Sequence, residues 1–378
     1  MITARIKNPR SVLPDPLWLR DVCDCPRCVD QSSRQKLFQT SDLPLNIEAR
    51  VVEETDDAIT VVWKNDLATA GSEHKSVYHR SKLAAYGKYA GLMARSPLSM
   101  VEVWDGNAMS QNILSIDFTS YQKSEHVLLK ALEQLKRYGL ILITGIPSQE
   151  HAVESIAGRI GHLRETFYGR TWDVRSVPEA KNVAYTNQFL GFHMDLLYMC
   201  DPPGLQLLHC LKNTCQGGES MFADAFQAAY AVKKASKDDY QILSTFPQTF
   251  HYQNAGEHYR YMRPAIIEDK HEDVEYVNWS PPFQGPFEGK HLSSSSLRSY
   301  VRAARAFSSY VEAPKNIYEY RMQEGDCFVF SNRRVLHARR AFDTVSGERW
   351  LKGAYIDTDV FNSRLRVLLE RRHAREGY

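Results

Sequence analysis

From residue 139 onward the sequence breaks repeatedly into short apolar runs. They read GLILITGI (139–146), VAYTN (183–187), GLQLLHCL (204–211), SMFADA (220–225), YEYRM (318–322) and DCFVFSN (326–332), with Gly, Pro and Asn between them. Apolar runs of about four to eight residues bounded by turn formers fit buried strands better than helices. So many short strands point to a sandwich or a jelly roll. The expected fold class is therefore mainly β with flanking helices. In HVLLKALEQLKRYG, Leu128, Leu132 and Leu135 recur at helical spacing and Gly139 is a stop. In SLRSYVRAARAFSSYV, the spacing places Leu297, Val301, Ala304 and Val311 on one helix face. The N-terminal part carries one short strand pattern, DAITVVW (57–63), and reads as a separate unit. We expect two domains, 1–105 and 106–378.

A chain of 378 residues with 43% hydrophobic and 24% charged side chains has the composition of a globular protein. No window approaches the run of about 18 apolar residues that a membrane span needs. The net charge of +2 argues against a nucleic-acid binder. The N-terminus lacks the apolar core of a signal peptide. Arg5, Lys7 and Arg10 precede the first acid, Asp15, as in a transit peptide, but Pro9 and Pro14 oppose an amphipathic helix there. The expectation is a cytoplasmic protein, with the mitochondrion as the alternative.

Of seven cysteines, Cys23, Cys25 and Cys28 crowd into the six residues CDCPRC. A disulfide scaffold would spread them out, so metal binding is the better reading. A structural zinc needs a fourth ligand to close its shell. Cys200, Cys210, Cys215 and Cys327 all lie in the second unit, which leaves a local histidine or an acid; His74 and His79 are the local histidines, with His74 favoured.

The stretch GFHMDLLY (191–198) holds His193 and Asp195 two residues apart. On a strand such positions share a face, so both side chains could meet one ion. Alone, the pair reads first as the polar face of an ordinary strand. A third ligand is needed, and His337 follows 142 residues after Asp195, just beyond DCFVFSN. Two histidines and a carboxylate on one face suit a non-haem Fe(II) oxygenase. Arg349 then follows 12 residues after His337, just ahead of the apolar run WLKGAYI. Its planar fork could hold the far carboxylate of a 2-oxoacid cosubstrate.

These motifs, together with WLRDVCDCPRC, TFYGRTW, NVAYTN, PPGLQLLHCLKNTCQGGES, NRRVLHARR and GAYIDTDVFNSRLR, make the chain resemble the family of gamma-butyrobetaine dioxygenase and trimethyllysine dioxygenase. The resemblance spans nearly the whole chain. It implies a double-stranded β-helix (jelly-roll) catalytic domain, a small N-terminal zinc domain and a homodimer. It also implies Fe(II), 2-oxoglutarate as cosubstrate, structural Zn(II), ascorbate as reductant, O2, and a trimethylammonium acid as substrate. Carried over by position, Cys23, Cys25, Cys28 and His74 resemble the zinc set, and His193, Asp195 and His337 the iron triad. Arg349 resembles the 2-oxoglutarate anchor. Tyr168, Trp172, Tyr185 and Tyr355 fall where the family builds its trimethylammonium cage, and Asn182 where it contacts the substrate's other end. A quaternary ammonium has no N–H to donate, so aromatic faces are its natural partners.

The sequence departs from that pattern in places. Leu196 stands where the family has a tyrosine that orients the substrate carboxylate, and Ser280 or Pro281 stands for an asparagine of similar purpose. The strand hairpin that the family places before WLRD is mostly missing. The expected substrate is gamma-butyrobetaine or a close analogue, with trimethyllysine as the alternative. A zinc hydrolase could use the same His193, Asp195 and His337 but would not explain Arg349. A non-catalytic zinc adaptor would not explain the triad.

Overall fold

The computed structural model describes residues 14–67, 73–83, 101–175, 187–287 and 293–376. Asn182 and Tyr185, with most of the VAYTN run, lie outside the described residues, as do the basic residues near the N-terminus. The chain divides into two compact units, Met1–Pro97 and Leu98–Tyr378. No helix among the described residues is long and apolar enough to cross a membrane.

In the first unit a short helix, Pro16–Asp21, starts at a capping Asp15 whose carboxylate accepts the Leu17 N–H at 2.8 Å. Pro16 fits the first helical turn, where its missing N–H is not needed. An antiparallel sheet follows, made of Glu48–Glu54, Ala58–Lys64 and Lys75–His79 in chain order. Ile59, Val61 and Trp63 alternate inward from the middle strand to meet Leu19, Ile47 and Tyr78. The third strand lies in a stretch that reads as merely polar, because its inward positions are Ser76 and Tyr78. So small a core needs an added cross-link, a metal or a partner.

The second unit is mainly β with helices on both sides, arranged as a double-stranded β-helix. One sheet has six strands in the order Leu114–Asp117, Leu140–Thr144, Cys327–Ser331, Leu205–Asn213, Arg349–Ile356 and Trp172–Arg175. All neighbours are antiparallel except the first two. The facing sheet has four strands, Tyr318–Tyr320, Ser220–Asp224, Val335–Arg339 and Leu190–His193. Phe222 and Val335 from the smaller sheet pack with Leu142, Leu208, Phe328 and Leu351 from the larger one. Helices Glu125–Tyr138, Ala152–Ile160 and Thr358–Glu376 cover the other face of the large sheet. Helices Ala225–Ala235, Lys237–Thr245 and Ser294–Val311 cover the small one.

Helix Glu125–Tyr138 follows its sequence signals. Ser124 caps it by accepting the Val127 N–H, Leu128, Leu132 and Leu135 are buried, and Gly139 ends it at φ 78°. Helix Ser294–Val311 packs Leu297, Ala304 and Val311 on the core as expected and corrects the expected face at Val301. Its buried residues are Tyr300, Ala303, Phe307 and Val311, whereas Val301 is 43% exposed. The two aromatic rings bury more area than the smaller residues of the rival stripe, and they set the rotation.

Candidate active site

The smaller sheet brings the two histidines together. Leu190–His193 pairs antiparallel with Val335–Arg339, and His193 stands opposite His337 with ring centroids 4.1 Å apart. Asp195 is not on that strand, so the expectation of two positions on one strand face is corrected. The strand stops at His193, and the chain turns. The Met194 N–H donates to the Trp279 carbonyl at 2.8 Å. The Asn332 side chain clasps the turn, accepting from the Asp195 N–H at 2.8 Å and donating to the Asp195 carbonyl at 3.0 Å. Leu196 completes the turn at φ 60°, a left-handed conformation costly for leucine. The carboxylate still reaches both rings: Asp195 Oδ1 lies 3.4 Å from His193 Nε2 and 3.9 Å from His337 Nε2.

The polar groups around this cluster prepare it for a cation. His193 donates from Nδ1 to the Gly191 carbonyl at 2.8 Å, which leaves the lone pair on Nε2. Burial, with the neighbouring His193, pushes the His337 pKa down to about 3, so its ring is neutral at ordinary pH. Burial alone would raise the Asp195 carboxyl. Its hydrogen bond to His193, both neighbouring imidazoles and the Tyr355 hydroxyl together hold it well below the usual carboxylate range. Two imidazole nitrogens and one carboxylate oxygen, all within 4.8 Å of one another, fit Fe(II).

A cavity of about 810 Å³, counting its open mouth, lies in front of the three residues. Tyr168, Trp172, Tyr198, Phe283 and Tyr355 line it together with Leu196. Trp172 stacks on Tyr355 with centroids 3.9 Å apart and planes at 25°. Arg349 lines it too, from the first position of a strand in the large sheet, so it faces the triad from the sheet opposite His337. Arg349 is 5% exposed, and its Nε donates to the Gly218 carbonyl at 3.2 Å. Burial lowers its pKa to about 10, so it keeps its charge at neutral pH. Among the described residues no carboxylate lies within 4.0 Å of it. A buried guanidinium without an acid partner at the edge of a cavity is suited to an anionic ligand. Ser280, by contrast, is buried with its hydroxyl unpartnered and does not line the cavity.

Residues 105–355, more than half of the chain, match the model of the taurine catabolism dioxygenase TauD, TfdA family. The chain belongs to that family. A second model, gamma-butyrobetaine hydroxylase-like, N-terminal, matches residues 9–79. Among curated relatives, a dioxygenase named str8 from Strobilurus tenacellus is 38% identical over 93% of this chain and 84% of its own length. A gamma-butyrobetaine dioxygenase from Pseudomonas sp. (strain AK-1) is 32% identical over 93% of this chain and 89% of its own. A solved structure from Burkholderia xenovorans, described as an alpha-ketoglutarate-dependent taurine dioxygenase, shares the fold. Its TM-score is 0.51 at 14% identity, over 65% of this chain and 89% of that one. As a TauD, TfdA family member the chain is an iron- and 2-oxoglutarate-dependent dioxygenase that uses O2 on a small molecule.

In the first unit, Cys23, Cys25 and Cys28 come together with His74, whose Nε2 lies 3.8, 3.3 and 3.6 Å from the three sulfurs in that order. His74 Nδ1 donates to Asp66 at 2.6 Å, and Arg20 Nε donates to the other oxygen of Asp66 at 2.8 Å. A carboxylate behind a histidine is the usual support for a zinc ligand, and a Cys3His set closes the shell. These residues fit a structural zinc. His79, the other local histidine, stands outside the group.

Several cavity residues of the TauD, TfdA domain escaped the sequence reading. Ser220 and Arg339 are cross-strand partners two pairs along from His337, and Arg339 shares its strand face. That alternation was a usable signal. Gln206 was another: a glutamine inside an apolar strand, 2% exposed, with a side-chain oxygen lacking a partner.

Proposed function

We propose that the enzyme hydroxylates a small trimethylammonium carboxylic acid, gamma-butyrobetaine or a close analogue, with His193, Asp195 and His337 holding the iron. The observation that carries this reading is a cavity that shares its lining among the triad, an aromatic wall and a buried arginine, Arg349, with no carboxylate within 4.0 Å among the described residues. The iron supplies oxygen activation coupled to decarboxylation of 2-oxoglutarate. The protein's residues supply position. Arg349 holds the far carboxylate of 2-oxoglutarate by its fork, while Gly218 steadies the guanidinium. Tyr168, Trp172 and Tyr355, with Tyr185 by the family pattern, offer ring faces to the ammonium, each contributing up to about 2 kcal/mol once water is excluded. By the family pattern, Asn182 is assigned to the other end of the substrate. The gamma-butyrobetaine dioxygenase among the relatives supports the substrate class.

The test is a panel of quaternary-ammonium acids, scored for succinate release and hydroxylated product with Fe(II), 2-oxoglutarate and O2. A trimethylammonium acid should give matched succinate and product. Its neutral tert-butyl isostere should lose on the order of 10-fold or more in kcat/KM, the loss of one desolvated cation–π contact. Equal turnover of the two would remove the aromatic recognition from the account.

A further inference from the structure

The two oxygens of Asp195 are treated differently by the fold. Oδ1 faces the imidazoles, 3.4 Å from His193 Nε2 and 3.9 Å from His337 Nε2. Oδ2 accepts a 2.6 Å hydrogen bond from the Tyr355 hydroxyl. A carboxylate with both oxygens free can bind an ion through one or both of them. A carboxylate with one oxygen already engaged is biased to the other.

The Tyr355 hydroxyl is held where it is. Tyr355 is 2% exposed and stands opposite Gln206, near the end of the strand Arg349–Ile356 in the large sheet. Trp172 covers one face of its ring. Trp172 can lie so close because residue 353 is a glycine: a Cβ there would sit 2.3 Å from Trp172 Cε2. A line of contacts thus runs from Gly353 through Trp172 and Tyr355 to Asp195. The stack also uses one face of each ring, so only the other faces remain for a cation.

We propose that Tyr355 is a positioning residue for the metal carboxylate: its hydroxyl occupies Oδ2 of Asp195 so that an ion at the triad meets Oδ1 alone, and Trp172 locks the ring in place. The inference rests on reading His193, Asp195 and His337 as the iron ligands, and it goes beyond a role for Tyr355 as one wall of an ammonium cage. Its consequence is a site that stays open. A second oxygen from Asp195 would take a coordination position that the cosubstrate or O2 needs. The ring also joins the two halves of the site, with its face toward the substrate wall and its hydroxyl on the ligand.

The test uses the full chain with its Cys3His cluster loaded with zinc and Mn(II) in place of iron, free Mn(II) being read by electron paramagnetic resonance. Tyr355→Phe keeps the ring and the stack and removes only the hydroxyl. The Mn(II) Kd should rise on the order of 10- to 100-fold, the usual cost of losing a group that supports a metal ligand, with the melting midpoint held within a few degrees. Trp172→Phe, with a smaller stacked ring, should shift the Kd in the same direction by less. His337→Ala should abolish Mn(II) binding. A Tyr355→Phe Kd within twofold of the parent, beside a His337→Ala variant that binds nothing, overturns the role of Tyr355 and leaves the triad standing. A His337→Ala variant that binds Mn(II) like the parent overturns the triad and this inference with it. A hydroxyl that merely fills space would lower the melting midpoint and leave the Kd alone.

Discussion

The two donor clusters each gather their ligand atoms within 4.8 Å, yet they are built in opposite ways. The Cys3His set is local. Three sulfurs come from one tight turn, in which the Cys25 carbonyl accepts the N–H groups of Cys28 and Val29, and His74 enters just before a strand. Cys23, Cys28 and His74 are each less than 5% exposed, Cys25 is partly exposed, and four ligands close a zinc shell. The His-Asp-His set is assembled from residues 142 positions apart, and a wide cavity lies in front of it. The supports differ in kind as well. Behind His74 stands a full carboxylate, itself paired to Arg20, which makes the imidazole a stronger donor. Behind His193 stands only a backbone carbonyl, and behind Asp195 a neutral hydroxyl. A closed shell with charged backing suits a metal that must stay; an open one with neutral backing suits a metal that must exchange partners.

Reciprocal ligand deletions are the strongest way to break this comparison. His337→Ala should cut iron-dependent succinate release by at least about a hundredfold, more than the loss of a supporting group costs, and leave zinc content intact by elemental analysis. Cys28→Ala should do the reverse to the metals: zinc should be lost, and the small core of Leu19, Ile47, Val61 and Trp63 should lose its melting transition. Zinc loss in His337→Ala would show that the two clusters do not act separately. A smaller effect sharpens the role of the backing groups. Asp66→Asn keeps the shape but removes the charge shared by His74 and Arg20. Zinc affinity in a chelator competition should fall on the order of 10- to 100-fold, with iron-site affinity unchanged.

The sequence revealed the donors more readily than their surroundings. Cysteine spacing, the H-x-D pair, the later histidine and Arg349 were all visible because metal and anion chemistry restricts residue type. The strands at 140–144, 205–213, 220–224 and 327–331 were visible as apolar runs. Less of the rest could be read. Asp195 looked like a strand position, because nothing in HMD announces a turn clasped by Asn332 from 137 residues away. On the helix at 294–311, Leu297, Ala304 and Val311 pack inward as their spacing implies, but Val301 does not, because Tyr300 and Phe307 set the rotation by ring size. The Tyr355 hydroxyl on Asp195 depends on a stack that Gly353 permits, and no local pattern announces it. Leu196 was noticed as a departure in chemistry, whereas its φ of 60° shows that it also closes the turn.

The smallest predicted effect separates charge from geometry at the open site. Arg349 spends its Nε on the Gly218 carbonyl, so its terminal nitrogens are what it can present to a ligand. Lysine would keep the charge in the cavity, which is why Arg349→Lys is more informative than a truncation. It would lose the fork, and the Gly218 carbonyl would lose its donor. One charge-assisted hydrogen bond contributes about 1.5–3 kcal/mol, and the retained ammonium would recover part of that. The KM for 2-oxoglutarate should therefore rise about tenfold, equivalent to about 1.4 kcal/mol. The KM for the proposed trimethylammonium substrate should stay within about twofold, and zinc content should not change, since an arginine offers no ring face to an ammonium and is no member of the Cys3His set. A steady-state titration of each substrate at saturation of the other measures both constants. A rise confined to the ammonium substrate would move Arg349 from the cosubstrate to the substrate, and the division of the cavity into an anionic and a cationic end would have to be reversed.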